Sequence, residues 1–483
     1  MKTRSSNHVI SLHVLLGLAI VLTEAVFLNF FGSAEIELAL SSAVVTVALL
    51  IQLRFGIRRD AGTPADMVVF IFDWLFLDFA PKAQLLSMPQ TLVNTSSVSV
   101  DTLAVTNLVC ALFIVTFTVV YRYLMSHSGT NGAKEAAALA TPKPFTAEAI
   151  GVAVFVCLVV VALAGPSAYK VSDAAITSPS TLIVNRFLLF LPSATLLILL
   201  NETVRSGRKW AFSRVCVIVL LVALVLITEN PRTEKRNALG PIYIGILLVA
   251  FQSWFSSSTR RLLLLVLSMV VVFPASSILT HHNRTQSFSD ISMSQFWDQI
   301  AEHYFSINYD SWANVYTSVE IVKVHGLQWG HQLIGALLFF VPSAVWTTKP
   351  YATGIFLANY LIANYSMWFT NLSAPLVGEG YLDFGYAGVV GYAGVLAIFV
   401  TLLNKFALRR DRWAAFPMAI YASVFLMIIL RGSLMIALGF ASGAFLSFCF
   451  ASALLSLRPR PLPRRAERRE IDASTTSVSG SGP

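Results

Sequence analysis

The sequence predicts an all-α polytopic membrane protein of about twelve transmembrane helices, with a large structured external loop before the last three. Three observations predict it. First, only 12% of the 483 residues are charged and 56% are hydrophobic. An average soluble domain carries roughly 25% charged residues, so this chain has too few to cover a water-facing surface of its size. Second, the mean hydropathy is +0.70, and the apolar residues fall in runs of the ~20 residues that cross a bilayer as a helix. Third, lysine and arginine concentrate in alternate connections between those runs, the asymmetry that bacterial inner-membrane proteins display between cytoplasmic and external loops.

Taken in order, the predicted spans are 9–31, 36–55, 66–82, 103–123, 147–165, 183–203, 211–228, 239–256, 262–280, 383–403, 413–430 and 432–456. The first follows a basic start (Lys2, Arg4) that imitates a signal peptide, but no small-residue cleavage site precedes the next apolar run, and it is read as a retained helix. The third contains Asp73 and Asp78, which makes it a short or re-entrant candidate. The last two are divided only by Arg431-Gly432. With both termini on the cytoplasmic side, 24 of the 34 Lys and Arg residues fall inside. The exception is the Glu229–Gly240 connection, which places Arg232, Lys235 and Arg236 outside, where Lys82 also falls.

This divides the chain into a nine-helix region (1–280), a large extracytoplasmic segment (281–382), the last three helices (383–456) and a tail (457–483). The tail is rich in Arg and Pro, then in Ser and Gly, and cannot build a core; its arginines suit anionic lipid headgroups, and no nucleic-acid partner is expected. Cys110, Cys157, Cys216 and Cys449 each sit inside an apolar run, so no disulfide framework or zinc site is expected. No metal or cofactor is expected either: there is no helical His pair at i, i+4 and no glycine-rich phosphate loop followed by Lys-Ser/Thr.

The information is concentrated between 281 and 382. The segment is dense in aromatics, among them Trp329, Trp346 and Trp368. Aromatic faces outside a membrane either anchor at the interface or stack on sugar rings. Gln332–Val341 is apolar but too short to span and is stopped by Pro342, which predicts an interfacial or re-entrant helix.

Two motifs stand here in order: Pro342-x-x-x-Trp346-x-x-Lys349-Pro350, then Gly378-Glu379-x-Tyr381-x-x-Phe384-Gly385-x-x-Gly388 at the start of a span. Together with the topology they resemble the Wzy-type oligosaccharide repeat-unit polymerases, the O-antigen polymerase family. The motifs cover under a tenth of the chain, and Asp383 departs from the Asn that family members often carry. The resemblance implies a GT-C-like helical bundle in the bacterial cytoplasmic membrane. There a glycan leaves its polyprenyl diphosphate carrier and joins a new carrier-linked repeat unit, without a cofactor. It also implies as partners the carrier-linked oligosaccharides, the lipid bilayer, a chain-length regulator and a flippase. The same superfamily contains O-antigen ligases; a lipid-linked glycan transporter is the reading from another class, favoured by Asp73 and Asp78.

Such a transfer needs fixed cations for the diphosphate, a base for the acceptor hydroxyl and a surface for the glycan. Arginine suits diphosphate because its planar fork matches phosphate oxygens. The external candidates are Arg431, which interrupts a long apolar stretch, and Arg186, Lys349 and Arg284. Each has a structural alternative: a helical-hairpin turn, snorkelling to the interface, or solvation. Glu379, between Gly378 and Gly380, is the first candidate for the base; its structural alternatives are a helix cap and an ion pair with Arg431. His281, His282, Asp310 and Tyr381 are further candidates for acid/base work or acceptor contact, and Trp329, Trp346 and Trp368 for glycan stacking.

Overall fold

The computed structural model describes residues 6–32, 34–58, 61–127, 142–168, 179–207, 211–231, 236–276, 292–370, 372–409 and 411–457. Among these the secondary structure is helical throughout, apart from one isolated bridge between Leu92 and Thr95. Seven helices are long and apolar enough to cross a membrane and four shorter ones are apolar.

The first half comprises α1 (Ser6–Phe31), α2 (Ile36–Phe55), α3 (Ala65–Trp74), α4 (Ala80–Ser87) and α5 (Val100–His127). All ten residues of α3 are buried, aspartates included. A π-helical turn, Leu75–Phe79, joins α3 to α4, so helix runs unbroken from 65 to 87, roughly 34 Å at 1.5 Å per residue. The segment expected to be short or re-entrant is thus long and central. Its charges hid this in the sequence, because their partners lie on other helices. Lys82, expected in an external loop, is buried on this run and pairs with Asp78 one helical turn before it.

Five further helices come next: α6 (Ala147–Ala168), α7 (Pro179–Arg205), α8 (Phe212–Thr228), α9 (Arg236–Ala250) and α10 (Ser258–Leu267). Short helices α11 (Met293–His303), α12 (Ser311–His325), α13 (His331–Leu337) and α14 (Thr353–Tyr365) lead into α15 (Leu376–Ala407), α16 (Ala415–Arg431) and α17 (Leu434–Leu455).

Two apolar cores result. One gathers α1–α5 with α12 and α15, the other α6–α9 with α17. Helix α16 serves both, with Leu426 and Leu430 in the first core and Tyr421, Val424 and Phe425 in the second. Its last residue, Arg431, therefore emerges at the seam.

The 281–382 segment contributes to the core. Asp310 and residues 311–319 of α12 are buried, packed between α5 and α15. Hydropathy misses α12 because it carries Asn314, Thr317 and Ser318. These are satisfied inside: Thr317 and Ser318 donate to the carbonyls of Ala313 and Asn314 at 3.0 and 2.9 Å, and Asn314 donates to Ser373 at 2.9 Å. Helix α15 also starts earlier than the sequence suggested, at Leu376, and breaks at Phe384 (φ −138°) and Gly385 (φ +61°). The break folds its first eight residues across the rest.

At that break the backbones of Gly380 and Gly388 touch: a Cβ on Gly388 would lie 1.9 Å from the Gly380 carbonyl oxygen, whereas one on Gly391 meets nothing within 4 Å. Gly388→Ala should therefore lower the apparent melting temperature of the purified protein, with a cost of about 1–3 kcal/mol typical of overpacking. Gly391→Ala should leave it equal or higher, since alanine is the better helix former by about 1 kcal/mol.

Candidate active site

The site assembles where α16 ends. The Arg431 guanidinium reaches a buried turn between α11 and α12: its Nη2 donates to the Ile307 carbonyl and to Asp310 Oδ1, both at 3.4 Å. The same guanidinium lies 5.9 Å from the centre of the Phe76 ring. Arg236, the first residue of α9, reaches this turn from the other side. It donates to Asn308 Oδ1 at 3.5 Å and to the Phe273 carbonyl at 3.4 Å, over the Phe273 ring. The two guanidiniums are close enough for their charges to interact.

The turn itself is rigidly held. Gln84 of α4 donates to the carbonyls of Tyr304 and Tyr309 at 2.9 and 3.3 Å. The Tyr309 ring stacks on Phe76 at 4.9 Å and packs on Tyr304 at 4.7 Å. Asp310 is fully committed: its second oxygen accepts from Asn314 at 2.9 Å and from the Ser373 N–H at 3.3 Å. Two guanidiniums thus meet at a turn whose one carboxylate, Asp310, pairs with Arg431, an excess of one positive charge in a partly desolvated place. Arg431 Nε is buried with no hydrogen-bond partner. An unpaired charged donor is costly, and an anion would relieve it.

Glu379 lies on the other flank of the α16–α17 turn. Its carboxylate is 3% exposed and accepts from the Leu434 N–H at 3.1 and 3.3 Å. Thr353 gives it a further side-chain hydrogen bond. A carboxylate at the start of α17 satisfies N–H groups that have no partner within the helix and meets the positive end of the helix dipole. Glu379 is thus held by N–H and O–H donors, and the carboxylate paired with Arg431 is Asp310. Between Arg431 and Leu434 lie three peptide units, no more than about 11 Å of chain. Gly354 N–H donates to Ser433 in this turn at 2.7 Å, tying α14 to it. Asp383 has a parallel role, accepting from the first N–H groups of α13 (Gln332 at 3.2 Å, Leu333 at 3.0 Å) and from Tyr392 at 2.9 Å.

Other residues singled out by the sequence lie elsewhere. Arg186 makes a 2.7 Å ion pair with Glu229 over the Phe190 ring, within electrostatic reach of Tyr421. Tyr421 is ten residues before Arg431 on α16, roughly 15 Å along the helix. Arg186 is therefore a buried structural cation rather than a neighbour of Arg431. Lys349 donates to the carbonyls of Phe339 and Val341 at 2.7 and 2.8 Å, closing the chain just past α13, and burial pushes its ammonium below its ordinary value. Tyr381 is buried edge-on against Tyr386. Trp329 and Trp368 are 75% and 79% exposed, free to meet a ligand, while Trp346 is half-buried and donates to Thr348. His281, His282 and Arg284 lie outside the described residues. Among those described, no three His, Cys, Asp or Glu side chains converge as metal ligands.

Of the residues the sequence singled out, the structure pairs Arg431 with Asp310 and sets Glu379 at the start of α17; Arg236 and Gln84 were missed. Arg236 did leave a signal, as one of three cations on the side that the positive-charge bias disfavours. No family model, curated protein or solved structure matches the chain.

The Arg186–Glu229 pair yields a stability test. Glu229→Gln alone strands a buried guanidinium and should cost about 3–5 kcal/mol, whereas removing both charges together with apolar residues of similar size should restore most of it. Thermal unfolding of the two variants checks this.

Proposed function

We propose that the chain is a membrane glycosyltransferase that polymerises polyprenyl-diphosphate-linked oligosaccharide repeat units into surface polysaccharide at the outer face of the bacterial cytoplasmic membrane. The observation that carries this reading is the convergence of Arg236 and Arg431 on one turn whose single carboxylate, Asp310, pairs with Arg431, with one guanidinium N–H of Arg431 unpartnered among the described residues. That is an anion site of a kind suited to diphosphate. The resemblance of the two motifs to the Wzy-type polymerases supports it. So does the helix count: the eleven apolar helices plus the continuous 65–87 run read as twelve spans, with both termini cytoplasmic by the charge bias.

In this reading the arginines hold the diphosphate of the donor. The acceptor hydroxyl of the incoming repeat unit gives its proton to Glu379 as its oxygen bonds to the anomeric carbon. The bond from that carbon to the carrier diphosphate breaks, and the guanidiniums take up the charge left on the leaving group. Electrostatic stabilisation of this kind works best in a dry, preorganised site. Glu379 suits the base because no cation holds it. Trp329 and Trp368, exposed and aromatic, offer stacking faces for the glycan. A chain-length regulator and a flippase would act alongside.

Purified protein incubated with a defined carrier-linked repeat unit should yield a ladder of products. Arg431→Lys and Arg236→Ala should each lower the initial rate by on the order of 10²-fold, the cost of losing one preorganised donor to a developing anion. A single transfer to a lipid core would favour the ligase instead, and no turnover of any lipid-linked glycan would overturn the enzymatic reading. The transporter alternative draws on the buried charges Glu24, Asp78 and Lys82. It is excluded if, in cells carrying Glu379→Gln, chain length collapses while export of single repeats persists.

A further inference from the structure

A second group of buried charges lies away from the arginine pair and has no part in the proposed transfer. Lys82 Nζ is ion-paired with Glu24 Oε2 at 2.6 Å and donates to Thr46 Oγ1 at 2.9 Å and to Asp78 Oδ1. The hydroxyls of Ser42 and Thr46 donate to the same Glu24 oxygen at 2.8 and 3.0 Å. Glu24, Asp78 and Lys82 are 6%, 1% and 4% exposed.

The donors that reach the two carboxylates meet only one oxygen of each, and among the described residues Glu24 Oε1 and Asp78 Oδ2 are buried without a partner. Two carboxylates against one ammonium leave an excess negative charge in the helical interior, where an uncompensated charge is expensive. Beside them lies a cavity of about 10 Å³, bounded by Ser42, Asp78, Lys82, Asn107 and Trp312 among others. It has room and polar partners for one water. The Lys82 ammonium in its wall repels a metal cation, whereas a proton neutralises the excess charge in place.

We propose that the Glu24–Asp78–Lys82 cluster binds one exchangeable proton, held by the two carboxyls that share the Lys82 ammonium, with Asp78 facing the cavity. The charged groups facing the cavity are Asp78 and Lys82 from the π-turn and α4, and Glu24 of α1 joins them through Lys82. Beyond them are Asp73, hydrogen-bonded to Gln52 of α2 at 2.7 Å, and Cys110 of α5, within electrostatic reach of both aspartates. The neutral walls are Ser42, Asn107 and Trp312. Trp312 connects the site to the arginine turn: its indole donates to Asn107 Oδ1 at 3.1 Å, and it stands two residues after Asp310 in α12. Gain or loss of the proton is therefore felt by the helix that carries the counter-ion of Arg431.

Charge balance supplies a test with opposite signs. Full-length protein in lipid nanodiscs, with choline as the only buffer cation, is compared by infrared spectroscopy in the carboxylic-acid C=O region near neutral pH. Bands from other buried carboxyls cancel in the variant-minus-wild-type difference. Asp78→Asn and Glu24→Gln should each remove one carboxyl's worth of absorption, because the remaining carboxylate then balances Lys82. Lys82→Met should add one, because both carboxyls must then be protonated. The absorption should also shift in heavy water. If Asp78→Asn and Glu24→Gln leave the band unchanged, the cluster is an ionised structural triad and the proposal fails. If sodium in place of choline abolishes the wild-type band, the site takes a metal cation and the proposal fails equally.

Discussion

The arrangement of this protein depends on one contact, the Arg431 guanidinium against the Ile307–Asp310 turn. Arg431 ends the helix that belongs to both apolar cores, so it is delivered to the seam between them by the packing of Tyr421, Val424, Leu426 and Leu430. Once there it needs acceptors, because a guanidinium in an apolar seam is tolerated only when paired or hydrogen-bonded. The turn supplies a carbonyl and a carboxylate. In return the arginine fixes the entry of α12 into the bundle, and α12 in turn anchors the chain ahead of α15 through the bond from Asn314 to Ser373. Losing either partner would leave a buried charge uncompensated, at about 3–5 kcal/mol.

Around this contact, acidic side chains act as helix caps. Glu379 satisfies the start of α17 and Asp383 the start of α13, while Lys349 takes the carbonyls just past the end of α13. The short helices after α12 cannot hold themselves in place, since helices of this length are marginal alone. They are fixed by charge-assisted bonds to ends that would otherwise be orphaned. Such rigidity would serve the proposed transfer, because preorganised donors need no rearrangement when charge develops.

How much of this was legible in the sequence varies with the physics of each element. Residues 36–55, 211–228 and 432–456 were read close to the observed Ile36–Phe55, Phe212–Thr228 and Leu434–Leu455, because for an apolar helix length and hydropathy carry the signal. Helix α12 was illegible: its asparagine, threonine and serines look solvent-facing, yet Thr317 and Ser318 turn back to carbonyls of their own helix and Asn314 meets Ser373. Lys82 was placed in an external loop for the same reason, as nothing local reveals that Glu24 awaits it. At the site, Glu379, Asp310 and Arg431 stood out by position, but Arg431 pairs with Asp310, more than a hundred residues away in the chain, and not with Glu379. Arg186 looked like Arg431 in the sequence, both being cations in apolar runs. Only Glu229, beyond the end of another helix, separates their roles.

The most direct measurement is hydrogen–deuterium exchange of the 304–314 backbone in the membrane-embedded protein, comparing the natural chain with Arg431→Met. If the guanidinium clamps the turn inside the bundle, this segment exchanges slowly in the natural chain and at least tenfold faster in the variant, while α2 and α5 stay protected. Rapid exchange of the segment in the natural chain, or equal protection in both, would contradict the account.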